Sequence, residues 1–122
     1  MNDSHDITYL TDVVLITCIV ALGRGDDVIR VARDLGIGGA FVYQARGTGV
    51  RERLGLLGIA VEAEKDVVTM IAATEQRDPL MHSLYTKLGL DRPGGGVILA
   101  MPLDKIATYI PEDVRQQLRR ER

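Results

Sequence analysis

The residues of this chain best suited to chemistry are glycines and cations gathered in three places. They are Arg46-Gly47-Thr48-Gly49-Val50-Arg51, then Lys65, then Arg92-Pro93-Gly94-Gly95-Gly96. Glycine lets a backbone N–H approach an anion closely, and successive N–H groups form a concave nest for phosphate. Arg and Lys add charge-assisted bonds to the same oxygens. Each glycine cluster alone also reads as an ordinary turn. Taken with the cations, the three point to a ligand that carries phosphate. The candidate ligand residues are therefore Arg46, Gly47, Thr48, Gly49, Lys65, Arg92, Gly94, Gly95 and Gly96.

Other chemistries find little support. There is no Walker motif, and Gly36-Ile37-Gly38-Gly39 follows a helical pattern instead of opening one, so it is not a dinucleotide fingerprint. His5 falls in a polar N-terminal stretch, and His82 lies beside an apolar helix stripe, where a surface histidine is the expected reading. No Cys/His cluster has metal-ligand spacing. No carboxylate pair is forced into an apolar setting, so we assign no catalytic residue and expect no enzyme. Cys18 sits inside an apolar strand pattern and is expected to be a buried, inert thiol. Arg24-Gly25-Asp26 has the form of an adhesion tripeptide, but reads better as the entry to an Asp-capped helix.

The elements that must position these residues come as a pattern used twice. Val28, Val31, Ala32 and Leu35 are apolar at i, i+3, i+4 and i+7, and Gly36 follows. Met81, Leu84, Tyr85 and Leu88 repeat the spacing, and Gly89 follows. Each set predicts an amphipathic helix closed by a left-handed glycine. Strand-like runs precede the helices at 13–22 and 65–74, and others follow at 40–45 and 97–103. Asp78-Pro79 reads as an N-cap with proline at the first helical position. Pro111-Glu112-Asp113 opens a last helix, with Arg115, Arg119, Arg120 and Arg122 toward its far end. Residues 1–12 show no periodicity and read as a flexible tail. The segment 47–64 is the least regular, with Arg51, Glu52, Arg53 and Leu54 in it. A connection that long in so small a domain is usually functional or disordered.

Two strand–helix–strand units predict an α+β, ferredoxin-like (βαβ)2 sandwich with a four-stranded antiparallel sheet and an added C-terminal helix, in one domain over 13–122. Right-handed crossovers put both helices on one face of the sheet. The runs 13–22 and 97–103 are apolar on both sides, so the other face is apolar too. Burying one such side chain yields about 1.5–3 kcal/mol. A bare face of six or more is costly, and a copy of the same sheet is the simplest cover. We therefore expect a homo-oligomer. A net charge of −2 and few aromatics argue against nucleic-acid partners, and one cysteine fits a reducing, cytoplasmic setting.

At these residues the chain resembles the PII signalling family in its broader, PII-like branch, over about 13–110. Gly36-Ile37-Gly38-Gly39 followed by Gly47-Thr48-Gly49 is similar to that family's second strand and its entry into the T-loop, here about 47–64. Lys65 falls where a family lysine meets ligand phosphates, and Gly94-Gly95-Gly96 falls in the phosphate-wrapping B-loop, about 91–96. The resemblance implies a homotrimer with an adenine nucleotide (ADP, AMP or ATP) between subunits and no metal cofactor. It also implies a partner, a membrane transporter or metabolic enzyme, docked through Arg51, Glu52, Arg53 and Leu54; the protein would then be cytoplasmic, or membrane-associated through that partner. Some positions depart from the family pattern. Val97 stands for the B-loop lysine, Thr108 and Ile110 for two clamping arginines, and Arg51 for the glutamine that helps bind 2-oxoglutarate and magnesium. The short loop has no tyrosine to uridylylate. ADP or AMP is thus favoured over a triphosphate, and bicarbonate or carbon-uptake roles stay open. The runner-up is a CutA-like trimeric metal-binding protein, which would need clustered His, Cys or Met. An RNA-binding module and an acylphosphatase-like enzyme stand behind it.

Overall fold

A computed structural model describes residues 7–47, 63–114 and 116. Its main sheet has four antiparallel strands in the order β3-β4-β2-β5, formed by β2 (Val13–Ala21), β3 (Ala40–Gly47), β4 (Ala63–Ala73) and β5 (Val97–Leu103). Helices α1 (Gly25–Asp34) and α2 (Arg77–Lys87) cover one face. This is the expected ferredoxin-like arrangement. A separate pair, β1 (Tyr9–Leu10) with β6 (Ile106–Ala107), is antiparallel. The stretch read as a flexible tail therefore includes two residues with strand partners, too few for a periodic signal. Lys105 Nζ lies 4.4 Å from the centre of the Tyr9 ring beside this pair. At the C-terminal side, residues 112–114 and 116 are helical, in keeping with the expected last helix; the arginines at 115, 119, 120 and 122 lie outside the described side chains.

Strand β2 runs between two neighbours and alternates strictly. Val14, Ile16, Cys18 and Val20 are buried under the helices, while Val13, Leu15, Thr17, Ile19 and Ala21 face the other way and are half-buried. Cross-strand register extends that division over the sheet. Val14, Ile16 and Cys18 stand opposite Ala72, Met70 and Val68 on β4, and all of these are buried. On the uncovered face, Thr17 lies between Thr69 and Leu99, and Thr69 in turn pairs with Phe41. Phe41, Leu99 and Met101 are 75%, 49% and 57% exposed, so this apolar face has no cover within the described part of one chain. Pro102 sits on β5, an edge strand, where a missing N–H leaves no ladder unpaired.

The two helices depart from their expected stripes in an instructive way. Val28 and Ala32 are buried on α1, as expected, but Leu35 is the helix C-cap and stays 36% exposed. Ile37, just past the turn, takes its place in the core. On α2 the buried line is Leu80, Leu84 and Leu88, and Tyr85 is 47% exposed. The helix is rotated toward the leucines, whose i, i+4, i+8 spacing is an equally good apolar stripe. Both closing glycines are left-handed as predicted, Gly36 at φ +86° and Gly89 at φ +68°. At the first, the Gly36 N–H donates to Arg33 and the Ile37 N–H to Ala32, the paired bonds of a Schellman end. Helix α2 begins at Arg77 behind a short 3-10 turn (Thr74–Gln76), so Asp78 and Pro79 lie inside its first turn and are not its cap. A proline is tolerated there because first-turn N–H groups have no helical acceptor.

Cys18 is fully buried, and burial pushes its thiol up to about 11 against a smaller opposing pull from the Arg24 guanidinium. Two outcomes follow from this core. Leu84→Ala should cost about 2–5 kcal/mol in urea unfolding, because the side chain is wholly enclosed. Cys18 should react with a thiol reagent only as fast as the chain unfolds, which mixing experiments in native buffer and in urea would check.

Candidate functional site

The site is built at the end of the sheet where β3 finishes, β4 begins and β5 begins. Register places Ala45 opposite Lys65, and Lys65 opposite Ala21. One step further, Arg46 faces Glu64, and Gly47 faces Ala63. On the far side of β2, Val97 pairs with Ile19, so the 91–96 loop lies against the same end. All three candidate segments thus gather at one end of the sheet. Lys65 adjoins the end of β3, whereas the first and last segments stand apart, because β3 and β5 are opposite edges, about 14 Å apart at three strand spacings.

The anchor of this corner is Asp66, which the sequence reading passed over as a strand residue. It is 5% exposed. Its Oδ2 accepts the N–H of Gly23 and the N–H of Gly25, each at 2.9 Å, and its Oδ1 accepts from Gln44 Nε2 at 3.2 Å. One carboxylate therefore holds the β2–α1 turn, the first residue of α1 and the side chain of β3. It also corrects the expected Asp cap. Arg24 is the N-cap and makes no side-chain cap bond, Asp26 and Asp27 fall in the first turn, and the anion at the helix start comes from β4. The bond from Gly25, with those from Gln44 and Gly23, holds the Asp66 carboxyl below the usual carboxylate range despite its burial. A Cβ on Gly25 would sit 3.0 Å from Asp66 Oδ2 and 3.1 Å from a Val42 methyl, which is why glycine suits that position. The signal was present in the strand's parity: Asp66 shares a face with Val68, Met70 and Ala72.

Arg24-Gly25-Asp26 is accordingly not a free tripeptide, since Gly25 is buried. Arg24 Nη2 donates to the Leu88 carbonyl at 3.0 Å, closing the C-terminal end of α2, where the helix dipole favours a cation.

The glycine loop divides its labour. Gly95 is buried; its N–H donates to the Arg92 carbonyl at 2.9 Å, and any side chain there would strike the Gly89 carbonyl. Gly96 packs with φ +126° against the Ile19 carbonyl and Val20. At these two positions glycine is also required by the chain's own packing. Gly94, left-handed at φ +76° with nothing within 4 Å of a Cβ, is the member open to a ligand. Arg92 is exposed beside it. Val97 is 51% exposed, Thr108 is exposed and Ile110 is buried, so none of these supplies a cation.

At the other edge, Arg46 Nη2 lies 3.6 Å from Glu64 Oε1, with both side chains more than half exposed. They border an open groove of about 560 Å³ lined by Leu22, Gln44, Ala45, Arg46 and Glu64. Lys65 is half-buried on the uncovered face. Thr48, Gly49, Arg51, Glu52, Arg53 and Leu54 lie outside the described residues. Among the described residues no three His, Cys, Asp or Glu side chains converge as a metal-ligand set, and His82 is exposed on α2. No described helix is long and apolar enough to cross a membrane.

Solved structures share this architecture. GlnK of B. subtilis, solved as its ATP complex, superposes with a TM-score of 0.60 at 12% identity, over 77% of this chain and 81% of that one. Arabidopsis thaliana PII bound to citrate gives 0.59 at 19% identity, over 77% and 79%. The fold is that of the PII proteins. A Bacillus cereus protein related to NIF3 also superposes, with a TM-score of 0.60 at 16% identity, over 83% of this chain and 28% of that one. No family model matches the chain, and no curated protein matches it in sequence. In this PII fold the described candidate residues lie at one sheet end, and the face opposite the helices has no cover among the described residues.

The Asp66 anchor makes stability depend on pH with a definite sign. A depressed carboxyl contributes stability that is fully present above its unfolded value of about 4 and is lost as pH falls through the folded value. Urea midpoints should therefore be level from pH 7 to about 5 and fall below about 4. Asp66→Asn should be less stable at pH 7 and show a flatter acid limb. An unchanged acid limb in that variant would place the titrating group elsewhere.

Proposed function

We propose that this chain is a PII-like regulatory protein, a homotrimer that binds an adenine nucleotide between subunits and controls a partner through the segment 47–64. The observation that carries this reading is the gathering of the Arg46, Lys65 and Arg92–Gly94 segments at one end of a sheet with the PII fold. The two ends of that row are about 14 Å apart in one copy, which favours a ligand held between copies. The bare apolar face supports an assembly with sheets turned inward. Solved neighbours of this fold carry ATP in one case and citrate in the other.

The cations support a smaller anion than a triphosphate. Arg46 is engaged by Glu64, and the positions that would clamp terminal phosphates are Thr108 and Ile110. ADP or AMP is accordingly the proposed effector, with Arg92 and Gly94 at its phosphates and Lys65 contributing where two copies meet. No turnover is assigned. The partner, a transporter or metabolic enzyme, would meet Arg51, Glu52, Arg53 and Leu54.

Two measurements test the reading. Calorimetric titration with ATP, ADP and AMP should give heat with at least one, tightest for ADP or AMP, and Arg92→Ala should weaken it about tenfold or more, the loss of a charge-assisted bond. No heat with any of the three contradicts it. Light scattering should report a trimer, and Leu99→Glu on the bare face should shift the chain to monomer; a monomeric wild-type protein contradicts the assembly.

A further inference from the structure

Two arginines from separate parts of the chain come to one turn, the end of α2. Arg24 reaches it from the N-cap of α1, and its Nη2 donates to the Leu88 carbonyl at 3.0 Å. That carbonyl and the Gly89 N–H belong to one planar peptide unit, so holding the oxygen fixes the plane in which Gly89 begins. Arg92 reaches the same turn from the loop that follows. Its N–H donates to the Gly89 carbonyl at 3.1 Å. Its side chain lies across Gly89: a Cβ there would be 3.6 Å from Arg92 Cδ and 3.7 Å from Arg92 Nε. Gly89 is thus the seat on which Arg92 rests, and Arg24 holds the peptide in front of it.

Arg24 is itself held on both sides. The N–H groups of Gly23 and Gly25 end on Asp66 Oδ2, each at 2.9 Å. Its own N–H donates to the Ala21 carbonyl at 3.0 Å, and its carbonyl accepts from Asp27 and Val28. Asp27 Oδ2 lies 4.0 Å from its Nε. An arginine fixed in this way, with its guanidinium already on a carbonyl, does its work at Leu88. A charge-assisted bond is directional, and a cation serves a ligand well only where its neighbours hold it in place. We propose that Arg24 is a positioning residue for the phosphate-binding cation: it does not touch the ligand, but it fixes the Leu88–Gly89 peptide and through it the direction of the Arg92 side chain. The inference rests on the reading of the chain as a nucleotide binder with Arg92 at the phosphates. It gives the Asp66 anchor a second consequence, because the carboxylate that closes the β2–α1 turn also sets where Arg24 starts.

The test is equilibrium binding of ADP by the full chain in the wild type, Arg24→Met, Arg24→Lys, Arg92→Ala and the Arg24→Met/Arg92→Ala double variant. It is joined to nuclear magnetic resonance of the Arg92 Cδ protons in the ligand-free wild type and Arg24→Met. Arg24→Met should bind ADP about fivefold more weakly, and in the Arg92→Ala background it should cost nothing further. Lysine keeps a cationic donor for the Leu88 carbonyl and should restore most of the affinity. The Arg92 Cδ protons, which lie over Gly89, should shift in Arg24→Met with no ligand present. Full affinity in Arg24→Met overturns the proposal, as does a loss that lysine does not relieve or an Arg92 signal that stays in place. The same loss in both backgrounds also overturns it, since Arg24 would then act on the ligand without Arg92. All these results leave nucleotide binding itself intact. Failure of ADP, ATP and AMP alike to bind the wild type removes the functional reading and this inference with it.

Discussion

A carboxylate on the core-facing side of a strand must find donors, because burial without them is among the most expensive arrangements in a protein. Asp66 finds three, and each comes from a different place: the β2–α1 turn, the first residue of α1 and the β3 side chain. Two stretches of chain far apart in sequence, Gly23–Gly25 and Gln44, are thereby referred to one pair of oxygens. The helix receives an anion at its positive end, the turn at Gly23 is closed, and the edge strand is held to its neighbour beyond the backbone ladder. The groove beside Gln44 takes its shape from this arrangement, and so does the fixed orientation of the amide that lines it.

The second organising fact is the unequal treatment of the two sheet faces. One is closed by Leu80, Leu84, Leu88, Val28 and Ala32 over Ile16, Cys18 and Met70. The other presents Phe41, Leu99 and Met101 without cover among the described residues. A chain of 122 residues has limited surface to hide, and using both faces of one sheet requires a second body. The same geometry leaves the candidate residues strung along a sheet end. The glycine loop fits that economy: Gly95 and Gly96 let the 91–96 segment fold tightly onto Ile19 and Gly89, and that close packing presents Gly94 and Arg92 outward.

Much of the scaffold was legible from residue order. Strand β5 runs over 97–103 as its apolar run implied, β2 stops one residue before the expected end, and Gly36 and Gly89 end their helices in the left-handed region. These features depend on local chemistry, which a sequence displays directly. The misreadings involve choices made between distant residues. Tyr85 and Leu80 are both sound helix-stripe members, and only packing against the sheet decides which turns inward. Asp26 is a good local cap, yet the anion that serves α1 is 41 positions away from Gly25. Tyr9–Leu10 is too short to show a period, and its partner, Ile106–Ala107, is at the other end of the chain. The candidate residues were chosen by type, and the strands bring those that are described to one sheet end. Gln44 and Asp66 were missed because neither belongs to a glycine or cation cluster, although their parity with buried neighbours was visible.

One carboxylate shared by two glycine amides ties this corner together, and nuclear magnetic resonance reads that sharing directly. The amide protons of Gly23 and Gly25 should move together as pH is lowered from 6 to 2, with a single midpoint below the ordinary aspartate range and matching that of the Asp66 carboxyl carbon. Amides that stay still through the Asp66 titration, or that move with separate midpoints, would contradict it.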